Sequence, residues 1–405
     1  MENYLYKDNK KLRMGYTTGT CAAAAAKAAS IMLFTGAEIL QLKLNTPKGI
    51  MVDLKIEDIS IKENTVSCAV RKDSGDDPDV TNGILIYAQV KKMSKNELFK
   101  KAENYYSGYS NYEESVKYSL PLILIDGGKG VGRITQKGLS SPIGAAAINK
   151  VPREMIFKEV IEVCGEYEYN QALEVLIYIP EGEEKAKKTF NPNLGIIGGI
   201  SVLGTSGIVE PMSESALVES IKLEMNLRKE NNAEYMLAVP GNYGEEFSKR
   251  FANLDFKNSV KCSNYVGETI DYANEIGLKG LLFISHIGKF IKLSGGIMNT
   301  HSRYADCRME LIMTAALLAG ADNDTLKEIM KCITTEQALE CIKDEKIKKE
   351  TLSCIVERIN THLKKRAGEL KIGAIVFSNE AGILGKTENA EELLKLLERK
   401  KENNG

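Results

Sequence analysis

Apolar positions in the first half of the chain fall into short alternating or β-branched runs, whereas in the second half apolar runs alternate with helical stretches. An alanine-rich segment from Cys21 to Leu33 follows Thr17-Thr18-Gly19-Thr20 and predicts a helix, because a threonine hydroxyl can accept from the unpaired N–H groups of the first turn. Ile39–Leu44, Ile50–Ile56, Thr65–Val70 and Ile84–Val90 predict short strands, separated by turn residues such as Asn45-Thr46-Pro47 and Asn82-Gly83. A polar helical stretch from Ser94 to Tyr106 leads to an apolar strand, Leu120–Ile125, and Ala172–Ile179 closes this half. Between Pro180 and Pro192 the chain is charged and unpatterned, so the domain boundary is expected near residue 190. Beyond it, Ile200–Leu203, Tyr235–Val239, Gly280–Ser285 and Gly373–Ser378 alternate with helices, the pattern of a parallel sheet, and the segments after Arg303 read mostly as amphipathic helix. The expected fold is two-domain α/β: an α+β domain with mixed short strands over 1–190, and a Rossmann-like parallel α/β domain with extra C-terminal helices over 191–405.

Charge and cysteine usage exclude several function classes. Lys+Arg total 54 and Asp+Glu 55, so no net field favours nucleic acid or an anionic membrane, and any anion site must be local. The eight cysteines, Cys21, Cys68, Cys164, Cys262, Cys307, Cys332, Cys341 and Cys354, lack metal-site spacing and read as reduced thiols of a cytoplasmic protein. Met1 to Lys11 is polar, unlike a signal peptide, and no apolar stretch reaches the roughly 20 residues of a membrane span. Association into a homo-oligomer is left open.

Four glycine-rich stretches contain no acid: Asn9–Ala37, Gly127–Arg153, Lys185–Val209 and Ile276–Ala305. With 55 acids in 405 residues, a random window of that size is acid-free only about 2% of the time. The stretches carry Arg13, Lys129, Arg133, Lys137, Lys150, Arg153, Lys289, Lys292 and Arg303, which points to a pocket for a small polyanion. Glycine lets backbone N–H groups approach a ligand, and a helix N-terminus favours negative charge. Thr17, Thr18, Gly19 and Thr20 therefore read either as a substrate-binding turn or simply as the cap of a helix packed on a sheet. Gly128, Lys129, Gly130, Gly132 and Arg133 read either as a substrate loop or as a hairpin turn with solvated cations. Asp73 to Asp79 is an acidic loop whose spacing does not match an EF-hand, so no metal is assigned to it, and Asp76 and Asp77 are taken as candidate substrate contacts.

In the second half, Gly195 to Gly207 threads a strand between two glycine clusters, with a helix expected from about Ser213-Glu214. Loops after strands of an open α/β sheet bind nucleotide-like ligands, so Gly198, Gly199, Gly204 and Thr205, with Gly241, Asn242, Gly244 and Glu245, are the candidate cofactor contacts. The dinucleotide spacing G-x-G-x-x-G is absent, and Gly385-Lys386-Thr387 only imitates a phosphate loop, because Glu380 stands where its first glycine is required. Of three histidines, His286 and His301 lie in one acid-free stretch and are the catalytic candidates, with Asp306 to orient His301; a helix-capping role for His301 stays open. His362 reads as a surface residue.

Several of these segments resemble the cobalt-precorrin-5B C1-methyltransferase family of anaerobic cobalamin biosynthesis. The resemblance rests on Gly15-Tyr16-Thr17-Thr18-Gly19-Thr20-Cys21-Ala22, Asp73 to Gly83, Gly127 to Arg133, Gly138-Leu139, Ala147-Ile148-Asn149 and Pro152 to Ile156. It continues through Asn191 to Ser213, Gly241-Asn242-Tyr243-Gly244 and His286 to Arg308, with Lys150-Val151 departing from a more proline-rich run. It implies S-adenosyl-L-methionine as methyl donor, a carboxylate-rich cobalt tetrapyrrole (cobalt-precorrin-5B) as acceptor and cobalt-precorrin-6A as product. On that reading Lys129, Arg133, Lys289, Arg303 and the Thr17–Thr20 turn would hold ring carboxylates. A nicotinamide-dependent tetrapyrrole oxidoreductase and a non-catalytic corrinoid-binding protein share the same features.

Overall fold

A computed structural model of the chain describes residues 4–7, 9–94, 121–139, 141–189, 191–241, 254 and 258–398. The chain forms two compact units, Met1–Ser213 and Glu214–Gly405, and the fold is mixed α/β. The helix expected from Ser94 to Tyr106 lies outside the described residues, apart from Ser94.

In the first unit a hairpin of β1 (Tyr4–Lys7) and β2 (Lys10–Arg13) leads through β3 (Gly15–Tyr16) into α1 (Thr18–Thr35). Then come β4 (Gln41–Asn45), β5 (Met51–Lys62), β6 (Thr65–Arg71), β7 (Leu85–Met93) and β8 (Leu122–Gly127). Two-residue strands β9 (Gly130–Val131) and β10 (Arg133–Ile134) precede α2 (Lys150–Glu166), β11 (Ala172–Tyr178) and the short helix α3 (Gly182–Ala186). The sheet order is β4-β5-β6-β7-β11-β8, antiparallel except for β11 beside β8. The alanine helix α1 lies on this sheet and against α2, buried on every side from Thr18 to Ala26. Its ends are closed as the sequence suggests: Thr17 Oγ1 accepts from Thr20 N at 3.2 Å, and Gly36, at φ 69°, donates to Met32 O at 2.9 Å.

The boundary expected near 190 falls instead at 213. Beyond α3 the chain turns back into the first unit, where β12 (Ile196–Ile197) pairs antiparallel with β10 and β13 (Gly199–Ile200) runs parallel to β9. Val202 bridges Ile148, and β14 (Ile208–Val209) pairs antiparallel with β3. Ile200–Leu203 is thus no strand of the second sheet. Two-residue strands are too short to carry a hydrophobic period, and the charged run read as a linker folds as α3.

The second unit opens with α4 (Glu214–Glu230), followed by β15 (Tyr235–Val239), β16 (Ser259–Lys261), α5 (Val266–Glu275), β17 (Gly280–His286) and the single turn α6 (Ile287–Phe290). Helices α7 (Arg308–Leu318), α8 (Asn323–Lys331), α9 (Thr335–Cys341) and α10 (Glu345–Ala367) precede β18 (Lys371–Ser378), β19 (Gly382–Lys386) and α11 (Ala390–Leu396). The order is β16-β15-β17-β18-β19, with the first four strands parallel and β19 antiparallel at the edge. Successive strand residues point to opposite faces, and both faces are covered. Met236, Ala238 and Phe283 meet Ile270 of α5 and Ile355 and Ile359 of α10 on one side; Leu237, Ile284 and Phe377 meet Ala390 and Leu393 of α11 on the other. Among the described residues no helix is long and apolar enough to cross a membrane.

Candidate functional site

The glycines of the first unit bring backbone against backbone. A Cβ on Gly130 would stand 1.8 Å from Ile179 O, and one on Gly199 2.2 Å from the backbone of Gly130, its partner where β13 runs parallel to β9. Gly132 faces Ile196 and Gly199 in the same way, and Gly128 lies against Leu176. Candidate substrate glycines (Gly128, Gly130, Gly132) and candidate cofactor residues (Gly198, Gly199, Gly204, Thr205) therefore belong to one unit, with β9 and β10 paired to β13 and β12. Gly198 and Thr205 are exposed, and no heavy atom lies within 4 Å of a Cβ on Gly198.

The threonine turn is engaged by protein. Thr18 Oγ1 donates to Leu203 O at 3.1 Å and accepts from Leu203 N at 2.9 Å, while Thr20 Oγ1 donates to Gly207 O at 2.7 Å. Gly19 N donates to Leu203 O, and all four residues are buried. The turn thus fastens α1 to the 203–207 segment, and its hydroxyls are not turned toward a ring carboxylate.

Stretches that are acid-free in sequence are not acid-free in space. Arg13 pairs with Asp73, and Arg133 Nη1 and Nη2 reach Asp126 at 2.7 and 3.1 Å, the latter nitrogen also donating to Gly127 O. The acidic loop is satisfied internally: Lys72, itself buried, binds Ser74 and Asp79, Asp76 accepts from Arg13 N, and Asp77 accepts from Met212 N at 3.0 Å. The Arg13 guanidinium holds Asp73 below the usual carboxylate range. Burial pushes Asp79 upward, but the charge and hydrogen bond of Lys72, with Thr81, bring it below that range too. Among the described residues no group of three or more His, Cys, Asp or Glu could hold a metal. Arg153 is also engaged, donating to Ile148 O and Ala146 O. Lys129 and Lys137 are exposed cations with no acid partner among the described residues. Ile197, 61% exposed on the strand opposite Arg133, and Leu203, 49% exposed, add apolar surface to this region.

In the second unit the chain passes from β15 to β16 on one side of it, then returns to β17 on the other. The strand order therefore reverses direction between β15 and β17, and it is in the crevice at the carboxyl ends of two such strands that open α/β sheets bind ligands. Gly241 lies on one side, at φ 91°; Lys289 lies on the other, its Nζ 3.3 Å from where a Gly241 Cβ would sit. Asn242, Gly244 and Glu245 lie outside the described residues.

His286 braces this edge. Its Nδ1 accepts from Gly288 N at 3.1 Å, its Nε2 lies 2.9 Å from Glu336 Oε1, and its ring meets Phe377 edge-on, so both nitrogens face protein groups. His301 is exposed, and its Nδ1 accepts from Arg303 N at 3.1 Å, closing a turn; the next helix starts only at Arg308, with Cys307 at its cap, so His301 caps no helix. Asp306 does not orient His301, because its carboxylate binds Arg308. Arg303 pairs with Glu214, which Tyr304 also contacts. Buried Lys292 was passed over in sequence as one more cation; its Nζ donates to Thr300 O at 3.1 Å and Ala305 O at 2.8 Å and so holds the His301 loop. Asp126, Glu214 and Glu336 were missed as well, since each reaches its partner from a different element.

Residues 5–211 match the family described as CbiD, and residues 299–388 match CbiD, C-terminal domain. The chain belongs to the CbiD family. The family match to 211 ends within two residues of the first unit rather than near 190. Relatives named cobalt-precorrin-5B C(1)-methyltransferase include one from Ruminiclostridium cellulolyticum, 46% identical over 94% of this chain and 92% of its own length. Others come from Clostridioides difficile, 40% identical over 98% of this chain and 100% of its own, and Alkaliphilus metalliredigens, 41% identical over 98% of both. A crystal structure described as cobalamin biosynthesis protein (cbiD) from Archaeoglobus fulgidus shares 25% identity over 76% of this chain and 87% of that one; its TM-score of 0.38 is too low for element-by-element comparison.

Proposed function

We propose that this chain transfers a methyl group to C1 of cobalt-precorrin-5B, a step of cobalamin biosynthesis. The observation that carries the reading is identity of 46% with a methyltransferase of that name over 94% of the chain, a span that takes in both units. The finer reading takes S-adenosyl-L-methionine as donor, cobalt-precorrin-6A as product and the cytoplasm as the place of action. The second unit is then a Rossmann-like donor-binding domain, supported by its parallel strands and by the crevice beside Gly241. The first unit is the tetrapyrrole-binding domain, with Lys129 and Lys137 for ring carboxylates and Ile197 and Leu203 for the apolar macrocycle.

When bound, the donor supplies an electrophilic methyl on a sulfonium, and the macrocycle supplies the carbon nucleophile. The chain's part is alignment and exclusion of water, since in-line displacement needs the reacting atoms at near-attack distance. Arg133 acts by positioning the Gly127–Gly132 loop through Asp126. Because Nδ1 of His301 accepts in the turn, the neutral ring carries its hydrogen on Nε2, which positions the macrocycle as a hydrogen-bond donor. Incubation with cobalt-precorrin-5B and isotopically labelled S-adenosyl-L-methionine tests the reading: the product gains one labelled methyl, located at C1 by NMR. A product unchanged in mass refutes it, and tight binding of a nicotinamide cofactor in its place would favour the oxidoreductase.

A further inference from the structure

We infer that Lys289 is the receptor for the amino-acid carboxylate of the methyl donor, holding that end of the ligand in the crevice at the carboxyl ends of β15 and β17. The inference rests on the reading of this chain as a methyltransferase with a sulfonium donor.

Lys289 stands apart from the cations around it. Lys292, three residues on, is satisfied by two backbone carbonyls, and Arg303 and Arg308 have carboxylate partners. Lys289 has no hydrogen bond and no ion pair among the described residues, although it is about half-buried. Burial pushes its pKa below the usual lysine value, and the like charge of Lys292 pushes the same way. Cys262 pulls the other way, but it is fully buried and burial pushes its thiol up to about 12, so it stays uncharged near neutral pH. An ammonium withdrawn from water without a counter-ion is unfavourable until something brings negative charge to it. The place where it waits is open because residue 241 is glycine: at φ 91° a side chain there would be strained, and its Cβ would stand 3.3 Å from Nζ.

The chemistry of the donor selects what fills that space. Its sulfonium is cationic and is repelled by an ammonium, as is its amino group; its carboxylate alone is attracted. Lys289 therefore takes the carboxylate and turns the sulfonium away from itself. A ring carboxylate of the tetrapyrrole is the competing occupant, and binding separates the two.

The probes are S-adenosylhomocysteine and its decarboxylated analogue, titrated calorimetrically into the full chain and into Lys289→Met, which keeps the length of the side chain and removes its charge. The parent is expected to bind the carboxylate-bearing ligand at least about tenfold more tightly, ~1.4 kcal/mol, and Lys289→Met to bind both ligands alike, with the decarboxylated one within about twofold of the parent value. Lys289→Arg should restore the preference, which excludes a general loss of structure. A preference that survives in Lys289→Met overturns the inference, as does a variant that loses tetrapyrrole affinity while keeping that preference. If neither adenosyl ligand binds the parent chain, the donor reading itself fails and the inference falls with it.

Discussion

Replacing Arg133 by methionine separates a structural role from the ligand-binding role its sequence context suggests. Asp126 is only 5% exposed, and Arg133 gives it two hydrogen bonds, at 2.7 and 3.1 Å, besides the one to Gly127 O. Removing one partner of a buried pair costs about 3–5 kcal/mol when the remaining charge is sealed off. Here the Arg133 side chain is 39% exposed, so solvent screens part of the interaction, and Asp126 keeps the Gly127 N–H at 2.8 Å. A loss of about 2 kcal/mol follows, which for a unit of this size is a fall of roughly 4–8 °C in melting temperature. Differential scanning calorimetry measures it. Asp126→Asn combined with Arg133→Met should recover much of the loss, because no uncompensated carboxylate remains. The reasoning is refuted if Arg133→Met melts within about a degree of the parent while its tetrapyrrole affinity drops tenfold. Arg133 would then face the ligand.

Three further outcomes are expected. Gly204→Val should prevent the first unit from folding, since a Cβ at φ 130° would stand 2.4 Å from Thr17; a soluble variant with a parental circular dichroism spectrum would contradict this. His301→Asn keeps a side-chain acceptor for Arg303 N but removes Nε2, and it should slow single-turnover methyl transfer by about tenfold or more, ~1.4 kcal/mol, whereas a rate within about twofold of the parent would leave His301 a turn-closing residue only. Asp73 and Asp79 have folded pKa values below the ordinary 3.8, so their stabilisation is complete above that value and is lost as pH falls through the lowered ones. The urea midpoint should accordingly drop below about pH 4, and Asp79→Asn should make that drop shallower; identical acid profiles for variant and parent would remove the loop from the account.

The parallel strands of the second unit and the alanine helix were legible in the sequence because each carries its own signal: a continuous apolar run at Gly280–His286, and a threonine before alanines at Thr17. The tail of the first unit was not. Segment 191–213 is built from two-residue strands whose partners lie far back in the chain, as when Val209 pairs with Gly15, and no local pattern encodes such a ladder. Absence of acids proved a half-true guide to the site. It marked Lys289 and Lys129, which stay unpaired among the described residues, but it also marked Arg13, Arg133 and Arg303, whose acids arrive from Asp73, Asp126 and Glu214. Glycine was ambiguous for a related reason: the freedom that admits a ligand at Gly241 also admits another backbone at Gly130, and sequence does not say which neighbour arrives.

The alanine helix carries one more implication. From Thr18 to Ala26 every residue of α1 is sealed inside the first unit, and the threonines at its start are tied to 203–207. The segment Gly15 to Ala22, which lies inside the span matched to the family, therefore serves the assembly of the first unit. A descendant that kept this architecture and took up a different reaction would still carry those residues unchanged. Divergence of activity within the group is better sought at Gly241, Lys289 and the exposed rim of Lys129 and Ile197, where a substitution meets solvent or a ligand before it meets the core.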